Sequence, residues 1–221
     1  MKTQIKNKVK VGIVDDQDIF CKGLKSYLII YDNIDVVVMA TSGKEILLKL
    51  TNESNLPDIL LLDIDMPEMD GLDLLKIIKT THPKIKVIML SMHSELVYIE
   101  HAIGLGANGY VRKGDVSDDI VEAINLVANN GFYLDSSVSE EIKRENTKKK
   151  EIQSDTIILT SKEKEVLNLI CQQYSTKQIA AKLFITKKAV EYHRKNLISK
   201  TKSQNVVGLV LFAIKNSLCT C

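Results

Sequence analysis

From Val9 onward the chain alternates short, almost continuously apolar runs with longer stretches whose apolar residues recur at helical spacing. Five runs predict strands, at 9–14, 35–40, 59–63, 87–91 and 108–111. Val36-Val37-Val38 and Leu60-Leu61-Leu62 show no polar alternation. That pattern belongs to strands covered on both faces, and parallel strands joined by crossover helices are covered in that way. The expected fold of this half is an open, doubly wound, five-stranded parallel sheet.

Helix starts are written between the strands. Ser42 with Glu45 predicts a capping box, and Ser94 and Ser117 are candidate N-caps, residues whose oxygens accept the free N–H groups of a first turn. Ligands of such sheets gather beyond the carboxyl ends of the strands. The residues ending those strands therefore matter most: Asp15, Asp63, Ser91 and, just past the last strand, Lys113.

After this half the period changes. Between Ser136 and Ser154 the chain is polar and charged, with Lys148-Lys149-Lys150 and no sustained apolar repeat, which predicts a linker or an exposed helical extension. Beyond it, Thr160 with Glu163 and Ser175 with Gln178 predict two capped helices, the first carrying Val166, Leu167 and Ile170 and the second Ile179, Ala180 and Leu183. Thr186 caps a third helix running to about Lys200, and a fourth is expected from about Ser203 to Ile214. A short helix, a tight turn and a longer basic helix make a helix-turn-helix candidate. The domain reading is 1–135 for an α/β domain, 136–154 for a linker and 155–221 for an all-α, four-helix domain.

Charge sharpens this division. Cut near residue 135, the net charge of +2 separates into −6 for the first part, with 14 Lys and Arg against 20 Asp and Glu, and +8 for the remainder, with 16 against 8. An acidic half joined to a basic half suggests that only the second meets a polyanion. The 45% hydrophobic and 26% charged composition is that of a globular chain. The first ten residues lack the apolar core of a secretory signal, and the apolar run from Val206 to Ile214 is about half the ~20 residues a spanning helix needs. A cytoplasmic protein without a membrane partner is expected. Cys21, Cys171, Cys219 and Cys221 stand at no metal-ligand spacing with the four histidines and read as reduced thiols.

Three carboxylates, Asp15, Asp16 and Asp63, come from the ends of two strands that would be neighbours in the sheet. Like charges this close repel, and a hard divalent cation relieves the repulsion; Mg²⁺ takes one or two carboxylates together with waters and phosphate oxygens. Lys113 adds a cation for a phosphoryl oxygen, and the Ser91 hydroxyl a donor for another. Asp63 is then the natural nucleophile, since phosphoryl transfer asks the protein mainly for positioning and charge neutralisation.

These residues, read with Val14-Asp15-Asp16, Leu62-Asp63-Ile64-Asp65-Met66-Pro67, Asp70-Gly71, Ser91 and Gly106-Ala107-Asn108-Gly109-Tyr110-Val111-Arg112-Lys113, resemble the motifs of the response-regulator receiver domain, in order over about residues 8–130. The resemblance implies a flavodoxin-like sheet in which Asp63 accepts the phosphoryl group. Asp15, Asp16, Asp63 and the Asp65 carbonyl would hold Mg²⁺, and Lys113 would contact the phosphoryl group. Ser91 and Tyr110 would form a switch pair in which the hydroxyl moves toward the phosphoryl group and the ring turns inward, a population shift between two conformers. Asp63-Ile64-Asp65 also resembles the nucleophile motif of haloacid-dehalogenase-type phosphatases. That motif ends a first strand and continues into Thr or Val, whereas here it ends the third and continues into Met66-Pro67.

From Leu159 to Val210 the chain resembles the LuxR/NarL-type DNA-binding domain, through Leu159-Thr160-Ser161-Lys162-Glu163-Lys164-Glu165-Val166-Leu167, Ile179-Ala180, Leu183, Ile185-Thr186, Val190, His193 and Asn196. In its third helix Val190 and Leu197 should pack inward while Lys188, Tyr192, Lys195 and Ser199 face out. Lys187, Lys188, Arg194, Lys195, Lys200 and Lys202 supply charge for phosphates, which positions without reading sequence. Lys188, Glu191, Tyr192 and Lys195 are the candidate base readers. Ala189 and Glu191 stand where the family commonly has Thr and Lys, Gln173 stands at a usual Gly position, and Thr201 replaces an expected Leu, which should loosen the helix end.

The combined expectation is a two-component regulator rather than a turnover enzyme. A sensor histidine kinase phosphorylates Asp63, and the basic domain is released or dimerised as a homodimer on double-stranded DNA. A stand-alone phosphatase, and a basic domain that binds RNA or protein, are the other classes left open.

Overall fold

The computed structural model describes residues 8–52, 55–92, 96–134, 159–216 and 218–219, with the backbone alone at 115–118. The expected linker and Ser94 fall outside these residues.

The first domain runs β1 (Val9–Val14), α1 (Asp18–Leu28), β2 (Ile34–Ala40), α2 (Gly43–Leu50), β3 (Ile59–Asp63), α3 (Gly71–Thr81), β4 (Lys86–Ser91), α4 (Leu96–Gly104) and β5 (Gly109–Arg112). One 3-10 turn (Lys113–Asp115) then leads into α5 (Val116–Asn130). All pairings are parallel and the strand order is β2-β1-β3-β4-β5. β3 explains the uninterrupted Ile59-Leu60-Leu61-Leu62: Leu60 and Leu62 enter the core beneath α2, α3 and α4, and Ile59 and Leu61 the core beneath α1 and α5. The order reverses between β1 and β3, and at such a switch point a crevice opens beyond the strand ends.

Local signals mostly hold, with informative shifts. Ser42 accepts from the Glu45 N–H, but the Glu45 carboxylate reaches the Thr41 N–H at 2.7 Å, so the box closes one residue early. Ser117 lies inside the first turn of α5 instead of capping it. β5 begins at Gly109, and just before it the side chain of Asn108 ties three segments together: its carbonyl accepts from the Val87 N–H and Lys79 Nζ, and its amide donates to the Gly131 carbonyl.

The second domain contains α6 (Ser161–Cys171), α7 (Thr176–Lys182), α8 (Lys187–Thr201) and α9 (Val206–Lys215). Thr160 with Glu163 and Ser175 with Gln178 form complete capping boxes, and Thr186 caps α8. α9 starts at Val206, with its apolar run, rather than at the expected Ser203, because Asn205 accepts the first-turn N–H of Gly208. Gln173 does take the left-handed conformation expected of a glycine, φ +60°, at a cost of about 1–2 kcal/mol. Thr201 does not loosen α8: it is buried, and its hydroxyl meets the Leu197 carbonyl at 2.8 Å and Ser203 Oγ at 2.8 Å.

The domains meet along two seams. On one, Asn205 donates to the Ala107 carbonyl and Lys215 pairs with Glu100 of α4. On the other, the Asn130 amide donates to the Gln173 carbonyl while the Asn130 carbonyl accepts from Arg194.

Candidate functional site

β1 and β3 end side by side, with Val14 paired to Leu62, so the next residues, Asp15 and Asp63, emerge together. Both are buried, at 0% and 1% exposure, while Asp16 is exposed at the rim. Ligand oxygens of the three lie within 4.8 Å of one another. Gly71, the first residue of α3, closes the floor: a Cβ there would stand 1.9 Å from the Asp63 carbonyl oxygen. No larger residue fits between that helix and the end of β3.

Lys113 reaches in from the end of β5, its Nζ 2.8 Å from Asp15 Oδ2 and 3.0 Å from Asp63 Oδ1. Burial pushes the Asp63 pKa up, Lys113 opposes that shift and Asp15 adds to it, leaving it raised. For Lys113, burial works against the charge, but hydrogen bonds to Asp15 and Asp63 outweigh it and the pKa is raised. Asp15 Oδ2 and both Asp63 oxygens are buried, and the charge facing Asp15 Oδ2 and Asp63 Oδ1 is the Lys113 ammonium. Three crowded carboxylates, two of them sharing one ammonium, fit a hard divalent cation. Ser91 ends β4 beside Asp63 and is fully buried. Tyr110 is 1% exposed and packs in the core beneath α2, α3 and α4. Asp65 is exposed in the loop after β3.

Phe20 lacked a signal in the pattern, where it reads as one more apolar residue of an amphipathic helix. In the fold it lies on α1 with Lys113 Nζ over its ring, 5.0 Å from the centroid.

In the basic domain α8 buries Val190 and Leu197 as expected. Lys187, Lys188, Glu191, Tyr192, Lys195 and Lys202 are exposed on it or just past its end, and Tyr192 remains 64% exposed. Two of the basic residues expected to meet phosphate are placed otherwise. Lys200 is exposed but pairs at 2.7 Å with the buried Glu163. Arg194 falls on the inward stripe with Val190, Leu197 and Thr201. Its side chain is 13% exposed, and the guanidinium donates to Thr176 Oγ1 at 2.8 Å and to the Asn130 carbonyl at 3.2 Å. Thr176 in turn hydrogen-bonds Glu191 at 2.7 Å, so a candidate base reader is tied to the first turn of α7. The spacing of 190, 194, 197 and 201 is that of one helix face, whereas charge alone assigns Arg194 to the outer one.

An acidic strand-end pocket with a lysine, joined to a basic helix-turn-helix, defines a phosphoacceptor-type receiver fused to a DNA-binding domain. Residues 11–125 match the response regulator receiver domain, and residues 157–213 match the bacterial regulatory proteins of the luxR family. The chain is 34% identical over 214 residues, covering 96% of itself and 95% of its relative, to the transcriptional regulatory protein MctR of Rhizobium johnstonii. It is similar to the RcsB response regulator of Salmonella typhimurium, at 25% identity and TM-score 0.56, covering 92% of this chain and 97% of that one. It is also similar to RcsB in a complex with DNA, at 25% identity and TM-score 0.57, covering 95% and 99%. The chain belongs to the response regulators that join a receiver domain to a LuxR-type DNA-binding domain.

Proposed function

We propose that Asp63 accepts a phosphoryl group from a sensor histidine kinase and that the charge state of its pocket controls how α8 meets double-stranded DNA. The observation that carries this reading is the convergence of Asp15, Asp16, Asp63 and Lys113 at the sheet's switch point. In the transfer an ionised Asp63 oxygen attacks phosphorus, the phosphorus–nitrogen bond of the donor's phosphohistidine breaks, and the leaving imidazole takes up a proton. Asp15, Asp16, Asp63 and the Asp65 carbonyl would hold Mg²⁺, which supplies neutralising charge for the phosphoryl oxygens. Lys113 faces a phosphoryl oxygen, and the Ser91 hydroxyl, with Tyr110 behind it, follows the new charge. The chain works as a switch rather than a turnover enzyme.

On DNA, Lys187, Lys188, Lys195 and Lys202 neutralise phosphates, while Lys188, Glu191, Tyr192 and Lys195 read base edges. Arg194 and Lys200, assigned to phosphate by charge alone, join them only if their partners inside the chain let go. Binding as a homodimer to two half-sites suits a helix-turn-helix, and DNA-bound RcsB supports the duplex as ligand. A regulator acting between a kinase and DNA would work in the cytoplasm; no helix among the described residues is long and apolar enough to cross a membrane. Incubation with acetyl phosphate and Mg²⁺, followed by intact-mass and peptide mass spectrometry, tests the central step. One phosphoryl group on Asp63, absent from Asp63→Asn, is expected; unchanged labelling of that variant removes Asp63 from the role.

A further inference from the structure

The Lys113 ammonium must serve two arrangements. With the pocket as it stands, it lies between Asp15 Oδ2 and Asp63 Oδ1, and its side chain is 9% exposed. Once a cation claims those carboxylate oxygens and a phosphoryl group is attached, both partners change. A buried ammonium that loses its acceptors without replacement pays a large desolvation penalty. Beside it, apart from the carboxylates, lies the Phe20 ring, with Nζ 5.0 Å from the ring centroid.

A ring face suits this place because its quadrupole attracts the ammonium yet offers no oxygen to compete for the cation. The position is built into the chain. The Gln17 N–H donates to Asp15 Oδ1 at 3.0 Å and fixes the loop between the pocket and α1. The Phe20 N–H donates to the Gln17 carbonyl at 2.9 Å. The ring is half-buried and packs against the core beneath α1 and α5, while its face is turned to the pocket.

Resting on the phosphoacceptor reading of the pocket, we propose that Phe20 is a positioning residue: its ring face holds the Lys113 ammonium in place while that lysine exchanges carboxylate partners for a phosphoryl oxygen. Phe20 touches neither the phosphoryl group nor the cation and acts through Lys113.

The test is the initial rate of Asp63 labelling by acetyl phosphate in the full chain, with phenylalanines of increasing ring fluorination at position 20. Fluorination preserves the ring's shape and drains its quadrupole. The rate should fall stepwise, to on the order of threefold to tenfold slower at full fluorination, with Mg²⁺ affinity unchanged. A flat series overturns the inference, because a ring that only fills space would give one. A second readout needs no turnover: ring current shifts the NMR signals of the Lys113 methylene next to nitrogen, and Phe20→Leu should abolish the shift. Signals unchanged in that variant place the ammonium away from the ring and also overturn it. Failure of the unsubstituted chain to label at Asp63 is a different result, which sinks the phosphoacceptor reading and this inference with it.

Discussion

The acidic pocket and the basic helix α8 use charge in opposite ways. In the pocket, like charges are forced together by the backbone: Asp15 and Asp63 follow paired strands, are buried, and share the Lys113 ammonium. On α8 the charges of Lys187, Lys188 and Lys195 stand in water, where they cost little and constrain nothing. The pocket therefore holds like-charge strain that a bound cation would relieve, while the helix holds only a reserve of charge for a polyanion. The first is a geometric device and the second a statistical one. Substitutions should accordingly act sharply in the pocket and by increments on the helix.

The largest effect should come from the pocket cation. Lys113→Ala leaves two buried carboxylates facing each other and takes away the phosphoryl partner, and the labelling rate by acetyl phosphate should drop about 100-fold or more. A drop of less than threefold would make Lys113 a bystander and erase the contrast. On the helix, Lys188→Ala and Lys195→Ala should each weaken duplex binding gradually and lower the salt slope of log affinity by about 1. An abrupt loss of all binding with an unchanged salt slope would show that these lysines are held as rigidly as the pocket residues.

Arg194 sharpens the comparison because it lies on α8 but behaves like a pocket residue, being half-buried and hydrogen-bonded to the receiver at Asn130. Burial lowers its pKa, with Glu191 working in the other direction. Arg194→Val removes one tie between the domains and leaves the inward stripe apolar. Affinity of the unphosphorylated chain for a duplex should then rise about twofold to fivefold, measured by fluorescence anisotropy. A fall in affinity would return Arg194 to the phosphate-contacting set.

The smallest effect concerns stability. Folding raises the Asp63 pKa, so the folded chain favours the protonated carboxyl. The stabilisation this gives is complete below the unfolded-state pKa and is lost as pH rises through the raised one. Asp63→Asn is neutral throughout, and in the presence of a chelator it should be more stable than the unsubstituted chain at about pH 8, by roughly 1 kcal/mol. The difference should shrink as pH falls toward 4. Thermal melts at several pH values check this, and a constant difference would mean that the burial of the Asp63 charge is not its source.

The two regions also differed in how legible they were. Leu60-Leu61-Leu62 could be placed in a two-sided core from its lack of alternation, and once the strands were parallel, Asp15, Asp63, Ser91 and Lys113 had to converge. Helix caps at Thr160, Ser175 and Thr186 were local and came through intact. What stayed hidden depended on contacts distant in sequence. Asn130 and Arg194 lie 64 residues apart, and no local period reports that a helix end in one domain will accept a hydrogen bond from an arginine in the other. Phe20 was hidden for another reason: a ring over an ammonium and a ring in a core look alike as one apolar letter. The α9 start at Val206 agrees with its apolar run, and the N-cap that fixes it is Asn205 rather than the expected Ser203.

Whether the pocket governs the helix is tested most directly by one titration. The full chain is titrated against a duplex selected from genomic DNA, in Mg²⁺, before and after acetyl phosphate, and Asp63→Asn is carried alongside. Phosphorylation should tighten binding by the chain about tenfold and leave Asp63→Asn unchanged. Equal responses from the two proteins, or no response from a chain labelled at Asp63, would contradict the account.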